Sequence, residues 1–309
     1  MTVSVSISSD VLTGLLAIQR YRLLSVDQFS RASNLKPTHI RDVLRIFERK
    51  KLLGSIGNVG LRGGAKAPKL YYLTRSGYNT MLDAGGFSED DIGSFVRAHT
   101  STRWTPVMAH RMATIDLVLA AEAGVREITN YRLVRCFHEY RRTRRGRGQL
   151  QPETSDYVAK PFGAETRIVP DAAFILENMD TGNRGLFFIE TDRGTERLTS
   201  GSEGNYSIMR KFQLYEQYLT GGRFADTYAS HGDFQFFTLL FVTTTAQRIE
   251  NTRRAAQRLT ERLHPYFKLA THEEAQQHLL APIWWSRDVH DPIRGGLIKI
   301  KATNNGERP

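Results

Sequence analysis

The chain has 309 residues, of which 40% are hydrophobic and 24% charged, and its formal net charge is +11 at pH 7. This composition is typical of globular proteins, and the length predicts about two domains. No apolar run approaches the roughly 20 residues of a membrane span. The first ten residues lack the basic segment and apolar stretch of a signal peptide. We therefore expect a cytoplasmic protein without a membrane partner.

The excess of basic residues indicates a polyanionic partner. Lysine and arginine number 43, against 32 aspartate and glutamate residues. Neutralisation of phosphates supplies most of the non-specific affinity of proteins for nucleic acid. Double-stranded DNA is therefore the expected partner, and the alternative is a basic surface that only keeps the protein soluble.

The first part of the chain has the pattern of three consecutive helices. Residues 10–24 carry a broad apolar face. Ser25, with Gln28 three residues later, is the signature of a capping box and opens a second, short helix. Pro37 suits the first turn of a third helix, which we expect to extend to about residue 51.

A strand and a basic, glycine-rich loop follow the third helix. Residues 57–68 form the loop, residues 69–73 a returning strand, and residues 74–86 one more helix. This order predicts a winged helix-turn-helix domain over residues 1–86. The third helix would enter the major groove and the wing, residues 60–69, would touch the backbone or the minor groove. The alternative is a winged helix used only for protein contacts.

Outward-facing polar residues of this domain are the first candidates for DNA contact. Arg41 and Arg45 are one turn apart and are the predicted base contacts. The full predicted set comprises Thr38, His39, Arg41, Arg45, Arg49, Arg62, Lys66 and Lys69.

A polar stretch, residues 87–103, predicts a linker to a second domain over residues 104–300, and residues 301–309 predict a disordered tail. An arginine-rich, glycine-rich run, residues 141–148, is expected to be a mobile loop that contacts phosphate. The alternative is the solvated tip of a hairpin. Its predicted DNA-binding residues are Arg141, Arg142, Arg144, Arg145 and Arg147.

Helix-like and strand-like segments alternate in the second domain, which predicts an α/β domain with a mixed central sheet. Helices are expected at residues 107–123, 204–219 and 248–263, and strands at residues 131–140, around residue 171, and at residues 186–190, 234–242 and 279–285.

Two carboxylates in apolar strands carry the chemistry of this domain. Asp171 follows Pro170 between two apolar runs, and Glu190 ends the run at residues 186–189. A carboxylate on a buried strand is costly unless its charge is compensated, and a divalent cation would compensate two of them. Magnesium takes oxygen ligands, and a bound metal can drive phosphodiester cleavage. In the structural alternative, Asp171 caps a turn and Glu190 forms a buried ion pair with Lys211 or Arg193.

These residues resemble two known families. The order of elements, with Pro170-Asp171 on one strand and Glu190 on the next, resembles the PD-(D/E)XK nuclease fold. The N-terminal winged helix, Pro170-Asp171-Ala172, the segment Phe-Ile-Glu-Thr-Asp-Arg-Gly-Thr at 188–195, and Lys211 with Tyr215 are similar to the replication-relaxation family of plasmids and other mobile elements. The resemblance covers roughly residues 8 to 262.

The nuclease resemblance implies a role for each of these residues. Asp171 and Glu190 would hold Mg²⁺ or Mn²⁺. The family's lysine lies two residues after the second acid, where this chain has Asp192. The resemblance therefore implies Lys211 as the catalytic cation, beside Asp171 and Glu190, and Asp192 as a third metal ligand. This departure leaves open whether the site cuts DNA.

Three functions stay open from the sequence. The first is a DNA-binding protein of mobile-element replication, relaxation or transfer, with a metal-dependent, DNA-nicking domain. The second is a non-catalytic regulator, or an accessory protein that recruits replication or transfer proteins. The third is RNA processing, which basicity also allows. Winged helices often act as dimers on repeated sites, so a homodimer is a further option.

Overall fold

The computed structural model describes residues 7–56, 67–98, 105–144, 150–158, 166–199, 207–259 and 261–298. The chain divides into two compact units, Met1–Leu119 and Ala120–Pro309. Within the described residues the fold is mixed α/β, with ten α-helices and a seven-stranded mixed sheet. No helix among them is both long and apolar enough to cross a bilayer.

The N-terminal unit is mainly helical, with one small sheet. Its elements are α1 (Ser9–Tyr21), β1 (Leu24–Ser25), α2 (Val26–Ser33), α3 (Pro37–Arg49), β2 (Leu53–Ile56), β3 (Leu70–Leu73), α4 (Arg75–Gly85), α5 (Glu89–Ile92) and α6 (Pro106–Arg126), within which the division between the units falls.

Local sequence signals set the helix boundaries in this unit. The Ser25 side chain accepts a hydrogen bond from the Gln28 amide, and the Gln28 side chain accepts one from the Ser25 amide, so the predicted capping box is confirmed. Pro37 is the first residue of α3, as predicted. Asn34 adopts the left-handed conformation, which ends α2.

The small sheet has the antiparallel order β1-β3-β2. α3 buries Ile40, Leu44 and Phe47 in the core of the unit, while Val43 is only half-buried. Residues 57–66, which include most of the predicted wing, lie outside the described residues.

Part of the predicted linker packs on the N-terminal unit. The Tyr78 hydroxyl donates to the Gly93 carbonyl at 2.7 Å. The Gln19 amide donates to the carbonyls of Gly93 and Ser94 at 3.0 and 3.2 Å. These bonds attach the segment after α5 to α1 and α4.

The C-terminal unit is built on the large sheet. Its remaining elements are β4 (Tyr131–His138), β5 (Arg142–Arg144), β6 (Leu150–Pro152), β7 (Asp156–Val158), β8 (Thr166–Ile168), β9 (Ala172–Asn178), β10 (Arg184–Thr191), α7 (Ile208–Gly221), α8 (Arg223–Tyr228), β11 (Phe237–Thr243), α9 (Ala246–Ala256), β12 (Phe267–Thr271), α10 (His272–His278), β13 (Trp284–Ser286) and β14 (Arg294–Gly295), with 3-10 turns at Ala229–His231 and Glu261–Tyr266.

The large sheet has the order β14-β13-β12-β11-β10-β9-β4. β10 and β12 both run parallel to β11, and all the other pairs are antiparallel, so the predicted mixed sheet is confirmed. The β9–β10 register pairs Ala172 with Ile189, which brings Asp171 beside Glu190 at one end of the sheet.

An aromatic core joins α7 to one face of the sheet. Tyr215 and Tyr218 of α7 lie against Phe188 of β10, and Tyr215 also contacts Phe237 of β11. All four side chains are buried. This packing fixes which face of α7 is turned towards the sheet.

Two segments differ from the sequence prediction. Residues 142–144 of the predicted mobile loop form a strand that pairs with Leu150–Pro152, because backbone hydrogen bonds between the two arms stabilise a hairpin despite the charge. The late strand is only Trp284–Ser286, whereas the unpredicted β12 is an interior strand of the sheet. β12 was missed because Lys268 interrupts its short apolar run.

Candidate functional site

Asp171 and Glu190 meet at one end of the sheet. Asp171 immediately precedes β9, and Glu190 is the second-last residue of β10. The Asp171 Oδ2 atom accepts a hydrogen bond from the Thr191 amide at 2.7 Å, so its carboxylate lies next to the residue that follows Glu190. Both acids are almost completely buried.

Two side chains of α7 hold the Glu190 carboxylate. The Lys211 ammonium is 2.8 Å from Oε2, and the Tyr215 hydroxyl donates to Oε1 at 2.5 Å. Because Lys211 and Tyr215 are four residues apart, they lie on the same face of the helix. The Glu190 side chain is 2% exposed and that of Lys211 is 33% exposed, so the lysine connects the buried acid to the surface.

Burial raises the pKa of the Glu190 carboxyl from 4.5 to about 7. The charge of Lys211 opposes this shift, and the neighbouring Asp171 charge adds to it. Burial also raises the pKa of Tyr215, with the Glu190 charge acting in the same direction. For Lys211, burial lowers the pKa but the charges of Glu190 and Asp171 outweigh it and raise the pKa overall. The cluster thus combines a charged ammonium, a neutral phenol and a carboxyl that titrates near neutral pH.

The donor chemistry of the acid pair suits a hard cation. Asp171 and Glu190 offer carboxylate oxygens, which are the ligands magnesium prefers. Each Glu190 oxygen already accepts one hydrogen bond, from Lys211 or Tyr215, and retains a second lone pair. A divalent ion would therefore need the ionised form of Glu190 and would share this carboxylate with the Lys211 ammonium.

Asp192 has different surroundings. Its Oδ1 accepts from the Gly194 amide at 2.9 Å and from Arg248 Nη2 at 3.1 Å. Its Oδ2 accepts from the Thr243 hydroxyl at 2.7 Å and from Arg248 Nε. To serve as the predicted third metal ligand, Asp192 would have to give up part of this ion pair.

The polar face of α3 is the second candidate surface. The side chains of Thr38, His39, Arg41, Arg45 and Arg49 are all exposed, as predicted. Arg45 forms an ion pair with Asp42 at 3.0 Å. Lys69 is bound to Glu48 at 2.7 Å and lies 5.1 Å from the centre of the Tyr71 ring, so it is already engaged within the protein.

The other predicted basic contacts are only partly described. The Arg141 guanidinium is 3.8 Å from the buried Glu153 carboxylate. Arg142 and Arg144 lie in β5, where only the backbone is described. Arg62, Lys66, Arg145 and Arg147 lie outside the described residues.

Sequence reasoning missed two partners of the acidic residues. The sequence predicted no role for Tyr215 at the acids, although its four-residue spacing from Lys211 was the available signal. Arg248, the partner of Asp192, is 56 residues away in the chain and has no local signal. A buried acid, Asp156, was also missed; it accepts from the Tyr218 hydroxyl at 2.5 Å and from Thr227.

The comparison with known families identifies the class of protein. The family model described as replication-relaxation matches residues 15–233, which is well over half of the chain, so the protein belongs to the replication-relaxation family. That membership suggests a role in the replication or relaxation of plasmids or other mobile elements. No curated protein and no solved structure matches the chain.

Proposed function

We propose that the protein binds double-stranded DNA through α3 during mobile-element replication, relaxation or transfer. The observation that carries this proposal is the exposed face of α3, where three arginines accompany Thr38 and His39. Arginine and lysine contacts to phosphate supply affinity, and side chains of an inserted helix can reach base edges.

The elements around α3 support a winged-helix assignment. Three helices are followed by two antiparallel strands, β2 and β3, and β1 completes the sheet on the far side of β3. In a winged helix the third helix lies in the major groove. Partners such as replication or transfer proteins, or a second copy of the chain, belong to the same proposal.

Binding of the full-length chain to a duplex DNA tests this function. We expect affinity to fall steeply as salt rises, because phosphate contacts release counterions. Arg45→Ala should weaken binding by about tenfold, or reduce the steepness of the salt dependence by about one counterion. Fluorescence anisotropy of a labelled duplex across a salt series measures both quantities.

Arg20→Ala is the matched control, because Arg20 is an exposed arginine at the end of α1 in the same unit. It removes the same charge without altering α3 and should leave affinity close to that of the wild type. A flat salt response, or equal losses in the two variants, would contradict DNA binding through α3.

We propose, as a second function, metal-dependent cleavage of one DNA strand. The observation that favours it is the buried acid pair with Lys211 at its exposed side. Asp171 and Glu190 would hold Mg²⁺ or Mn²⁺, which when bound activates water and offsets charge on the leaving oxygen. Lys211, which stays protonated, would stabilise negative charge on the phosphate.

A nicking assay on supercoiled plasmid with Mg²⁺ or Mn²⁺ tests the cleavage proposal. Asp171→Asn and Glu190→Gln should each abolish nicking, because both changes remove a carboxylate charge at the site. Glu273→Gln, which alters an exposed acid on α10, should nick like the wild type. DNA binding of every variant is measured in parallel, so that loss of folding is distinguished from loss of chemistry.

Tight DNA binding without nicking under either ion would reject the cleavage proposal. It would favour the alternative, a regulator or accessory protein that uses a degenerate nuclease fold. In that case the Lys211–Glu190 ion pair would be a structural element of the C-terminal unit.

A further inference from the structure

The outward face of α3 carries an apolar residue among charged ones. Successive residues of an α-helix are about 100° apart, so positions separated by three, four and seven residues share a face. Asp42, Arg45, Ile46 and Arg49 have these separations. The opposite face contains the buried residues that anchor the helix. Ile46, with 40% of its surface exposed, therefore belongs to the outward face.

The composition of this face differs from that of a surface that binds only phosphate. Asp42, which is 68% exposed, places a negative charge on the face and forms an ion pair with Arg45. Ile46 adds neither charge nor a hydrogen bond. Single exposed apolar residues are common on proteins, but this one lies between Arg45 and Arg49 on the helix proposed to enter the major groove.

The major groove exposes one apolar group, the C5 methyl group of thymine, and side chains recognise it by apolar contact. The apolar side chain of Ile46 is chemically matched to that methyl group. The arginines on either side of it can bind phosphate or guanine at the neighbouring positions. Burying both apolar surfaces against each other removes them from water.

We infer that Ile46 contacts the C5 methyl group of a thymine in the target site and thereby selects thymine at that position. This inference rests on the proposed DNA-binding function and deepens it, since it assigns a specificity-determining residue. The same chemistry would accept the C5 methyl group of 5-methylcytosine, so the experiment separates the two bases.

The experiment begins with selection of duplexes from a random library by the full-length wild-type protein. In an enriched duplex each thymine is then replaced, one at a time, by deoxyuridine, which lacks only the methyl group. We expect one replacement to weaken wild-type binding by about three- to fivefold, the effect of exposing about one buried methyl group. The probe at that position is also made with cytosine and with 5-methylcytosine.

Ile46→Ala should bind the thymine and deoxyuridine duplexes equally, whereas Ile46→Val should retain the preference for thymine. Arg20→Ala, as a control outside α3, should retain it as well. If 5-methylcytosine binds better than cytosine in the wild type but not in Ile46→Ala, the methyl group itself is recognised. If the wild type binds the 5-methylcytosine and cytosine duplexes equally, recognition is restricted to thymine.

The outcomes separate this inference from the function on which it rests. Wild-type binding without enrichment of any sequence, or with no sensitivity to deoxyuridine, would overturn the role of Ile46 and leave DNA binding intact. A deoxyuridine effect of equal size in Ile46→Ala would assign the methyl contact to another residue. Absence of any duplex binding would overturn the proposed function itself.

Discussion

Glu190 is the residue whose ionisation would decide cation binding in the proposed cleavage site. It must be ionised to bind a cation, yet burial raises its pKa to about 7. Its two hydrogen-bond partners, Lys211 and Tyr215, both stabilise the ionised carboxylate and so oppose this shift, and the Lys211 ammonium would also compete with a metal for it. Raising the pH through 7 should therefore favour cation binding, because it removes the Glu190 proton.

The same pKa predicts how stability depends on pH. Glu190 titrates near 4.5 in an unfolded chain and near 7 in the folded protein, so protonation favours the folded state. Its contribution is complete below pH 4.5 and is lost as the pH rises to about 7, which lowers the free energy of unfolding by about 3 kcal/mol. Lys211 does not contribute to the pH dependence of stability between pH 4.5 and 7, because its raised pKa lies above this range.

Urea unfolding of wild type and Glu190→Gln between pH 4.5 and pH 8 measures this dependence. The difference in the free energy of unfolding between the two proteins should shift in favour of the variant as the pH rises, since glutamine cannot ionise. Glu273→Gln, at an exposed acid, should follow the wild-type curve. A constant difference between Glu190→Gln and wild type would show that burial does not raise this pKa.

At the scale of elements, two local features follow the sequence closely. The box formed by Ser25 and Gln28 and the start of α3 at Pro37 are local patterns that need no tertiary information. The ends of strands are harder to predict from the sequence, because pairing with neighbouring strands decides where a strand ends. The sequence placed Asp192 two residues after Glu190, a spacing that would share a strand face. β10 ends at Thr191, however, and Asp192 binds Arg248 instead.

Helix α4 packs very closely against the backbone of Leu52, the residue just before β2. A Cβ atom added at Gly77 would lie 1.9 Å from the Leu52 carbonyl oxygen, which is backbone and cannot rotate away. That carbonyl also accepts hydrogen bonds from the Thr74 amide and hydroxyl. Gly77→Ala should therefore separate α4 from Leu52 and lower the free energy of unfolding by about 1–3 kcal/mol or more.

Chemical denaturation of Gly77→Ala beside Ser76→Ala checks this expectation. Ser76 is an exposed neighbour on the same helix, so its replacement by alanine should change stability by less than about 0.5 kcal/mol. Equal stability of Gly77→Ala and wild type would mean that α4 does not pack so closely against Leu52.

At the scale of the whole molecule, charge and family membership agree. The net charge of +11 indicated a polyanionic partner, and membership of the replication-relaxation family implies DNA as a partner in general. The two units carry different candidate activities: α3 provides a basic, exposed surface, and the C-terminal unit provides a buried acid cluster. Loss of one candidate activity therefore need not remove the other.

The sequence alone determined the capping box of α2, the class of the fold, the basic character and the family resemblance, because each depends on composition or on residues close together in the chain. Tertiary structure decided which charges meet. Glu190 lies 21 residues from Lys211, and Asp192 lies 56 residues from Arg248. The strand register and the packed face of α7 bring Glu190 and Lys211 together. Asp192 meets Arg248 because β10 ends at Thr191, one residue before Asp192. Ion pairs over such separations depend on the positions of whole elements, which local patterns do not encode.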